Sequence, residues 1–352
     1  MPVGPRRVLS FCRAFVALTS LLTLAGCSVG SGADEPGNRA SECELGANAV
    51  PVCGVLWGIS TQPRSMRHLE SLEEQLGRRF DLVYHYNDVK SVVPDGIERQ
   101  EADDGRLLHI AIAARDYGAK GSTLTWADVA EGRFDASLAA QARGIAALKS
   151  PVFVTFAQEG NSKAKLGVNG SAAEFKAAWR HLHEIYRSAG ADNAVWTWVM
   201  TGSEENLDRA ATLWPGNDVV DWISWNVYNG AGCAEGGDLQ KFESFEDGLR
   251  IFYDFVKQRG PSIGMDPSKP MMISEAGSMR YAVDPDLGAG WYAGIPSTLR
   301  KYPQVKAVTL WNSSTDMCDF RFDTSPEAIA AVKRAGLDVT VDRVAAMKDR
   351  LE

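Results

Sequence analysis

The sequence predicts an α/β fold, a (β/α)8 or TIM barrel, because eight short β-prone runs alternate with helical segments and no dinucleotide-binding motif is present. The chain has 352 residues, 45% of them hydrophobic and 23% charged, which is ordinary for a folded protein. This length is enough for one barrel of about 250 residues or more. A doubly wound open sheet is the alternative, but no GxGxxG follows any of the strands.

Each predicted strand is a short apolar run rich in β-branched or aromatic residues. In chain order the eight runs are GVLWGIS, FDLVYHYND, LLHIAIAAR, PVFVTFAQEGN, AVWTWVM, VDWISWNVYN, PMMISEAGS and AVTLWNSS. In the fourth run, Val152, Val154 and Phe156 alternate with other apolar or small residues. Both faces of this strand are therefore expected to be buried, as in a parallel sheet.

Two of the helices between the strands carry clear start signals. Ser171 and Glu174 have the spacing of a capping box, and Gly190 stands where that helix should end. Ser325 is the predicted N-cap of a later helix, with Pro326 at its first position. Strands that alternate with such helices favour parallel pairing.

Residues 1–26 are predicted to be a targeting segment outside the fold. Arginines precede the apolar run FVALTSLLTLAGC, which is too short for a comfortable membrane span. Its end, LTLAGC, resembles a bacterial lipobox, which implies cleavage before Cys27 and lipidation of that cysteine; an ordinary secretory signal is the alternative. Residues 27–50 are expected to be a flexible Gly/Ser/Pro-rich tether, and residues 51–352 the barrel domain. Both alternatives predict export, either to the outer face of the cell membrane or as a secreted protein.

Of the six cysteines, one leaves with the targeting segment and one carries the lipid. The remaining four are Cys43, Cys53, Cys233 and Cys318. An even number in an exported protein predicts disulfides, and four cysteines allow three pairings. We favour Cys43–Cys53 with Cys233–Cys318, because the latter two each follow a strand end.

Charge and metal-ligand spacing exclude several classes of partner. The formal net charge is −8 and no basic block is present, which argues against nucleic acid and suits a neutral ligand better. No CxxC pair has zinc spacing, and His181 and His183 lie two apart on a helix, so they cannot share one ion. A metal-dependent barrel hydrolase is therefore disfavoured, and no metal or cofactor is expected.

Two glutamates stand where predicted strands end. Glu159 ends the fourth strand and Glu275 ends the seventh, and each is followed by a small residue. The active site of a (β/α)8 barrel is built at the C-terminal ends of its strands, and strands four and seven face each other. Two facing carboxylates suit glycoside hydrolysis, in which one is protonated and the other ionised. The alternative is that the two glutamates have no catalytic role and are solvated strand-end acids or part of a structural salt bridge.

Four segments of the chain carry a family resemblance, namely WADVAEGRFDASLAAQARGIAALKSPVFVTFAQEGN, AAEFKAAWRHLHEIYRSAGADNAVWTWV, LWPGNDVVDWISWNVYN and KPMMISEAG. With them, the chain from about Gly54 to about Gly336 resembles glycoside hydrolase family 26, the family of many bacterial β-mannanases. The resemblance implies a retaining mechanism with Glu159 as acid/base and Glu275 as nucleophile. It also implies that Tyr228 hydrogen-bonds the nucleophile and that Trp311 is a stacking platform for a sugar.

The sequence departs from the family pattern around the site. The family usually places His before the acid/base glutamate and Met-Asn-Gly with tryptophans after it; this chain has Gln158 before it and GNSKAKLGVNGS after it. Gln158 and Asn161 are predicted substrate contacts, although Gln158 could instead bond a backbone amide. Arg115 follows the third strand where the family usually shows Trp-Glu-Pro, and it could bind an acidic substituent or pair with Asp116 or Asp88.

The sequence thus predicts an exported, lipid-anchored, monomeric retaining β-glycosidase that acts on a polysaccharide or oligosaccharide. The alternative is a catalytically silent barrel that binds glycan or assembles with cell-surface partners. That alternative is motivated by the absence of the His, Met-Asn-Gly and tryptophan residues that the family usually has around its acid/base glutamate.

Overall fold

Eight parallel strands close into a barrel in the computed structural model, which describes residues 43–118, 122–233, 241–281 and 284–348. The strands are β1 Leu56–Thr61, β2 Leu82–Asp88, β3 Leu107–Ala113, β4 Val152–Phe156, β5 Ala194–Thr201, β6 Trp222–Asn229, β7 Met271–Ser278 and β8 Val305–Asn312. Each strand pairs with the next one along the chain, and β8 pairs with β1. The predicted (β/α)8 barrel is confirmed.

Helices surround the barrel and connect its strands. They are α1 Met66–Leu76, α2 Gly96–Asp103, α3 Trp126–Ala130, α4 Asp135–Leu148, α5 Ala172–Ser188, α6 Leu207–Leu213, α7 Phe245–Asp254, α8 Pro285–Ala293, α9 Ile295–Lys301, α10 Pro326–Gly336 and α11 Arg343–Lys348. Shorter 3₁₀ turns cover Ala47–Ala49, Glu204–Asn206, Asn217–Val219, Gly260–Ile263 and Phe322–Thr324, and a π turn covers Phe255–Arg259. A two-residue antiparallel ladder joins Arg115–Asp116 to Ser122–Thr123 after β3.

The predicted helix signals act as expected. The Ser171 side chain accepts a hydrogen bond from the Glu174 amide, with the reciprocal Glu174 bond also present, so the capping box of α5 is complete. That helix ends at Ser188, and Gly190 follows with a φ of 78°. At α10, the Ser325 hydroxyl accepts from the third amide of the helix, and Pro326 occupies the first position.

Alternation along the strands divides the core into two layers. Side chains that face the barrel axis form its lower interior, namely Leu56, Leu82, Leu107, Phe153, Val195, Trp222, Met272 and Ala307. Outward-facing side chains pack against the helices in a larger cluster that includes Trp196, Trp198 and Trp225. Three tryptophans of β5 and β6 therefore stabilise the fold on the side of the sheet opposite to the cleft.

The folded domain begins before residue 51, the start that the sequence predicted. Leu45 forms an isolated bridge with Pro51, and Ala49 is buried among the residues of the lower interior. The indole of Trp222 donates to the carbonyl oxygen of Asn48 at 2.7 Å. Residues 43–50 thus cover the bottom of the barrel. Ala49 packs on the lower interior and shields it from water, and the Asn48 carbonyl oxygen accepts the hydrogen bond of the Trp222 indole. The predicted targeting segment, Cys27 and the tether up to residue 42 lie outside the described residues.

Two disulfides join the cysteines in the pairing that we favoured. The Cα atoms of Cys43 and Cys53 are 5.6 Å apart, and those of Cys233 and Cys318 are 4.9 Å apart. The second disulfide links the loop after β6 to the loop after β8 at the C-terminal rim of the barrel. Disulfides are typical of exported proteins.

Two features are absent from the described residues. None of their helices is long and apolar enough to cross a membrane. None of their His, Cys, Asp and Glu side chains form a group of three or more that could hold a metal ion. His181 pairs with Asp135 at 2.7 Å, and the ring of His183 packs beside Trp196, so each histidine contacts a neighbouring element.

Candidate active site

The end of β4 explains why an apolar strand finishes on a carboxylate. Ala157 and Glu159 have φ angles of 47° and 55°, in the left-handed region that non-glycine residues rarely adopt. The amide of Ala157 donates to Ile112 of β3, and the amide of Glu159 donates to Val199 of β5, both at 2.9 Å. The neighbouring strands therefore hold the strained turn, which directs Glu159 to the barrel rim. Such strain is concentrated at functional sites in proteins.

Asn161 holds this turn from behind and does not reach the cleft. Its side chain is fully buried; it accepts from the amide of Thr201 at 2.9 Å and donates to the carbonyl oxygens of Thr201 and Asn206. Asn161 is therefore not placed to contact substrate as predicted, because both the oxygen and the nitrogen of its side-chain amide form hydrogen bonds with buried backbone groups. Asn161 instead fixes the segment after Glu159 to the end of β5.

A β-bulge in β7 turns Glu275 toward the barrel axis. Trp225 pairs with Ile273 and the next residue, Asn226, pairs with Glu275, so Ser274 is an extra residue on β7. Ile273 belongs to the outward cluster, and Ser274 contacts the inward-facing hydroxyl of Ser224. Strict alternation would point Glu275 outward, toward the helices. The bulge allows two consecutive residues to face inward, an effect that bulges next to active sites often have.

Two tyrosine hydroxyls donate to the Glu275 carboxylate, one to each oxygen. Tyr228 on β6 donates to Oε2 at 2.7 Å, and Tyr86 on β2 donates to Oε1 at 2.9 Å. Tyr228 lies where the family resemblance predicted it. Tyr86 was not predicted, although Tyr84 and Tyr86 alternate in the second predicted strand, which places both on one face.

Glu159 has a partner that the sequence analysis also missed. The side-chain amide of Asn226 donates to Glu159 Oε1 at 2.9 Å. Asn226 precedes Tyr228 by two residues on β6, so both side chains face the interior. Period-two spacing from the predicted Tyr228 is the signal that could have identified it.

The two glutamates are coupled electrostatically. Burial, followed by the nearby charge of Glu159, raises the pKa of Glu275 to about 7, against the opposing effects of Tyr228, Tyr86 and Lys165. Burial and the Glu275 charge also raise the pKa values of Tyr86 and Tyr228 well above their usual range, so both remain hydroxyl donors. The carboxyl pair therefore retains one proton up to about neutral pH, and this titration belongs to the pair rather than to either residue.

Trp311 at the end of β8 lies beside this cluster. Its ring meets that of Tyr228 edge to face, with centroids 5.9 Å apart and planes at 85°. Phe320 packs against both rings, at 4.9 Å from Tyr228 and 5.8 Å from Trp311. These contacts hold the half-buried indole beside the tyrosine that binds Glu275.

Two pockets adjoin the end of β4. The first, which we call the rim pocket, has a volume of about 160 Å³ and is lined by Glu159, Asn226, Tyr228, Glu243 and neighbouring residues. The second, which we call the cationic pocket, has a volume of about 340 Å³ and is lined by residues that include Arg115, Gln158, Lys165 and Trp126. The predicted residues Arg115 and Gln158 thus meet in one pocket next to Glu159.

Comparisons with known proteins agree with this architecture. No family profile matches the chain. Endoglucanase H of Acetivibrio thermocellus is 24% identical over 296 residues, which are 79% of this chain and 29% of that protein. The chain therefore spans less than a third of the length of this curated relative.

Solved structures show the same barrel. The catalytic domain of the GH26 endo-β-1,4-mannanase of Bacillus sp. JAMB-750 superposes with a TM-score of 0.60 at 15% identity, covering 84% of this chain and 88% of that one. The GH26 β-mannanase BoMan26A of Bacteroides ovatus gives 0.59 at 14% identity, covering 82% and 90%. The chain shares the fold of glycoside hydrolase family 26. The predicted resemblance is thereby confirmed for the fold; Glu159 follows the end of β4, and Glu275 lies on β7.

Proposed function

We propose that the chain is a retaining glycoside hydrolase of the GH26 type that cleaves β-glycosidic bonds in a polysaccharide or oligosaccharide. The observation that carries the proposal is a buried carboxylate, Glu275, which receives two tyrosine hydroxyls and is coupled to the charge of Glu159. The GH26 fold and the endoglucanase and mannanase names of similar proteins support the same reaction class.

In the first step, the ionised Glu275 carboxylate attacks the anomeric carbon of the sugar. The bond between that carbon and the glycosidic oxygen breaks, and Glu159 gives its proton to the departing oxygen. The hydroxyls of Tyr86 and Tyr228 both donate to Glu275 and thereby stabilise its ionised form. The product of this step is a glycosyl ester on Glu275.

In the second step, water attacks the anomeric carbon of the ester while Glu159 accepts a proton from that water. The bond to Glu275 breaks and its carboxylate is regenerated, so the configuration is retained overall. A carboxyl separation of about 5–5.5 Å is what this mechanism requires. Trp311, held by Tyr228 and Phe320, supplies an apolar face on which a sugar ring can stack.

A substrate panel tests the proposal. β-1,4-Mannan, β-1,3/1,4-glucan, xylan and aryl β-glycosides are incubated with the wild-type chain, and released reducing ends or aglycone are measured. We expect hydrolysis of at least one member. Binding without cleavage on every member would favour the silent glycan-binding barrel instead.

The pH dependence of hydrolysis follows from the raised pKa of Glu275. The reaction needs one proton on the carboxyl pair, and that proton is lost as the pH rises through about 7. We expect kcat/KM to fall above about pH 7, approaching tenfold per pH unit. A pH–rate profile measures this, with circular dichroism to verify that the fold persists; a flat profile up to pH 9, about two units above that pKa, would contradict the assignment.

Tyr86 offers a prediction with a matched control. Tyr86→Phe removes a donor to the carboxylate, so kcat/KM should fall about 10- to 100-fold. The basic limb should move to higher pH, because the Tyr86 hydrogen bond lowers the pKa of Glu275 and its removal raises that pKa. Tyr84→Phe is the control, since the buried Tyr84 hydroxyl has no hydrogen-bond partner among the described residues. Equal losses in the two variants would show that packing, not the Glu275 contact, is responsible.

We also propose that Cys27 carries a lipid that anchors a monomeric barrel outside the cell membrane. The lipobox resemblance of LTLAGC and the two disulfides support export. Cys27→Ser in the full-length precursor should move the protein from the membrane fraction to the soluble fraction, as immunoblotting would detect. Unchanged fractionation would refute the lipid anchor without affecting the proposed chemistry.

A further inference from the structure

Asn226 is a buried polar residue whose side chain has one described hydrogen-bond partner, the acid/base candidate. Asn226 is 6% exposed, and its side-chain nitrogen donates to Glu159 Oε1 at 2.9 Å. Its side-chain oxygen is buried and receives no hydrogen bond from the part of the chain that the structure describes. A buried amide with its oxygen unpaired costs free energy that an apolar residue of the same size would not. A contribution to stability therefore does not explain Asn226.

The backbone that carries Asn226 is held on both sides. Asn226 pairs with Thr201 of β5 and with Glu275 of β7 in the two flanking ladders. A Cβ atom at Gly202 would lie 2.7 Å from the carbonyl oxygen of Asn226, so glycine allows the chain after β5 to pass this close. Side chains on strands are placed more precisely than those on loops. The strand therefore fixes the point from which the Asn226 amide reaches Glu159.

Strand β6 serves both glutamates with alternate residues. Asn226 donates to Glu159, and Tyr228, two positions later on the same face, donates to Glu275. The two acids differ in how their oxygens are engaged. Each Glu275 oxygen accepts from a tyrosine hydroxyl, whereas among the described residues the Glu159 carboxyl group accepts a hydrogen bond on Oε1 alone. Oε2 of Glu159 is thus left for another partner.

An N–H donor on one carboxyl oxygen favours the other oxygen as the site of the proton. A protonated carboxyl group has one O–H donor, and its second oxygen is an acceptor only. Because Oε1 of Glu159 accepts from Asn226, the proton is favoured on Oε2. The same donor stabilises the ionised form of a carboxyl group, which Glu159 takes once it has given up its proton.

Several titratable groups lie near Glu159, and each either interacts with its charge or lines the rim pocket with it. They are Glu275 on β7, Lys165 after β4, Tyr84 on β2, Tyr228 on β6 and Glu243 before α7. Asn226 differs from all of them because it is neutral and donates a hydrogen bond directly to the Glu159 carboxyl group. Its substitution therefore removes one defined contact and leaves these neighbours in place.

We propose that Asn226 is a positioning residue for the acid/base: its amide occupies Oε1 of Glu159, so that Oε2 presents the proton to the departing sugar oxygen. The proton passes from Oε2 to that oxygen as the bond to the anomeric carbon breaks, and Asn226 itself exchanges no proton. In the second step, Oε2 accepts the proton of the attacking water. This inference deepens the proposed function and rests on it for the role of Glu159.

Two variants of Asn226 test the inference through the leaving group. Asn226→Leu removes the donor at similar volume, and Asn226→Asp keeps the shape but replaces the N–H donor by an oxygen. In both, we expect kcat/KM for a glycan that the wild-type chain hydrolyses to fall about 10- to 100-fold. Pre-steady-state release of dinitrophenol from an aryl glycoside should stay within about threefold of the wild-type rate, because that leaving group needs no proton.

Thr309→Val is the matched control for these variants. Thr309 is fully buried on β8, and its hydroxyl has no hydrogen-bond partner among the described residues. The substitution therefore removes a polar group from the barrel without removing a contact to either glutamate. Both rates should remain at the wild-type level.

A titration of the carboxyl groups adds a readout that does not depend on turnover. Protein labelled with ¹³C at the glutamate carboxyl carbons is titrated by NMR, with Glu159→Gln and Glu275→Gln used to assign the two signals. Loss of an N–H donor disfavours ionisation, so the apparent pKa values of the carboxyl pair should rise in Asn226→Leu. They should rise further in Asn226→Asp, which adds a third carboxyl group. The basic limb of the pH–rate profile should move to higher pH in the same order.

Three outcomes overturn the inference: equal losses for the glycan and the dinitrophenyl glycoside, wild-type rates in both variants, or unchanged apparent pKa values of the carboxyl pair. If thermal unfolding shows that Asn226→Leu does not fold, Asn226→Asp decides by the same criteria. Failure of the proposed function is read separately, as the absence of hydrolysis by the wild-type chain. The titration still decides in that case whether Asn226 acts on Glu159.

Discussion

Glu275→Ala is expected to lower kcat by at least about 10⁴-fold on any glycan that the wild-type chain hydrolyses. The substitution removes the atom that bonds to the sugar, and neither Tyr86 nor Tyr228 can replace a carboxylate as nucleophile. The fold should persist, because burial disfavours the Glu275 charge and its loss relieves that cost. Initial rates and thermal unfolding are the measurements. Glu70→Ala, which removes an exposed carboxylate on α1, is the control.

Azide adds a stereochemical readout to this variant. A small anion can enter the space vacated by the Glu275 side chain and attack an activated aryl β-glycoside from the same face, giving an α-glycosyl azide. Parental turnover by Glu275→Ala on the true substrate would refute the mechanism. If Glu275→Ala loses both its activity and its folded state, Glu275→Gln distinguishes a catalytic cause from a structural one, because this variant keeps the side-chain volume.

Glu159→Ala should reduce hydrolysis of a glycan about 10²- to 10⁴-fold, because the departing sugar oxygen loses its proton donor. With a dinitrophenyl glycoside as substrate, the rate of the first step should fall much less, because this leaving group needs no proton. The glycosyl-enzyme would then accumulate, since Glu159 is also the base for water. Pre-steady-state release of dinitrophenol measures both effects.

The azide product distinguishes the two glutamates. In Glu159→Ala, azide should attack the glycosyl ester on the opposite face from Glu275 and give a β-glycosyl azide, the reverse of the product expected for Glu275→Ala. A loss of the same size for good and poor leaving groups would exclude Glu159 as the general acid.

Strand and helix positions were predictable because each depends on a short-range signal. Alternation predicted the strands. The capping box at Ser171 and the Ser325–Pro326 pair predicted the residues at which α5 and α10 begin. The end of the tether was predicted less well, because residues 43–50 fold against the barrel through Ala49 and the bond from Trp222 to Asn48, contacts that join distant parts of the chain.

The site was predictable in part. Position at strand ends identified Glu159 and Glu275, but the inward orientation of Glu275 depends on the bulge at Ser274, and strict period-two alternation predicts the opposite face. Asn161 follows Glu159 closely yet points into the protein, because left-handed backbone at Glu159 reverses the direction of the segment. Tyr86 reaches Glu275 across 189 positions of sequence, a distance over which no local pattern acts.

Covalent trapping tests the central claim most directly. An activated 2-deoxy-2-fluoro β-glycoside of the sugar that the panel identifies is incubated with the wild-type chain, and the labelled peptide is sequenced by mass spectrometry. The account predicts a single fluoroglycosyl ester on Glu275, formed as activity is lost. A label on Glu159 or another residue, or continued turnover with an inverted product and no adduct, would contradict it.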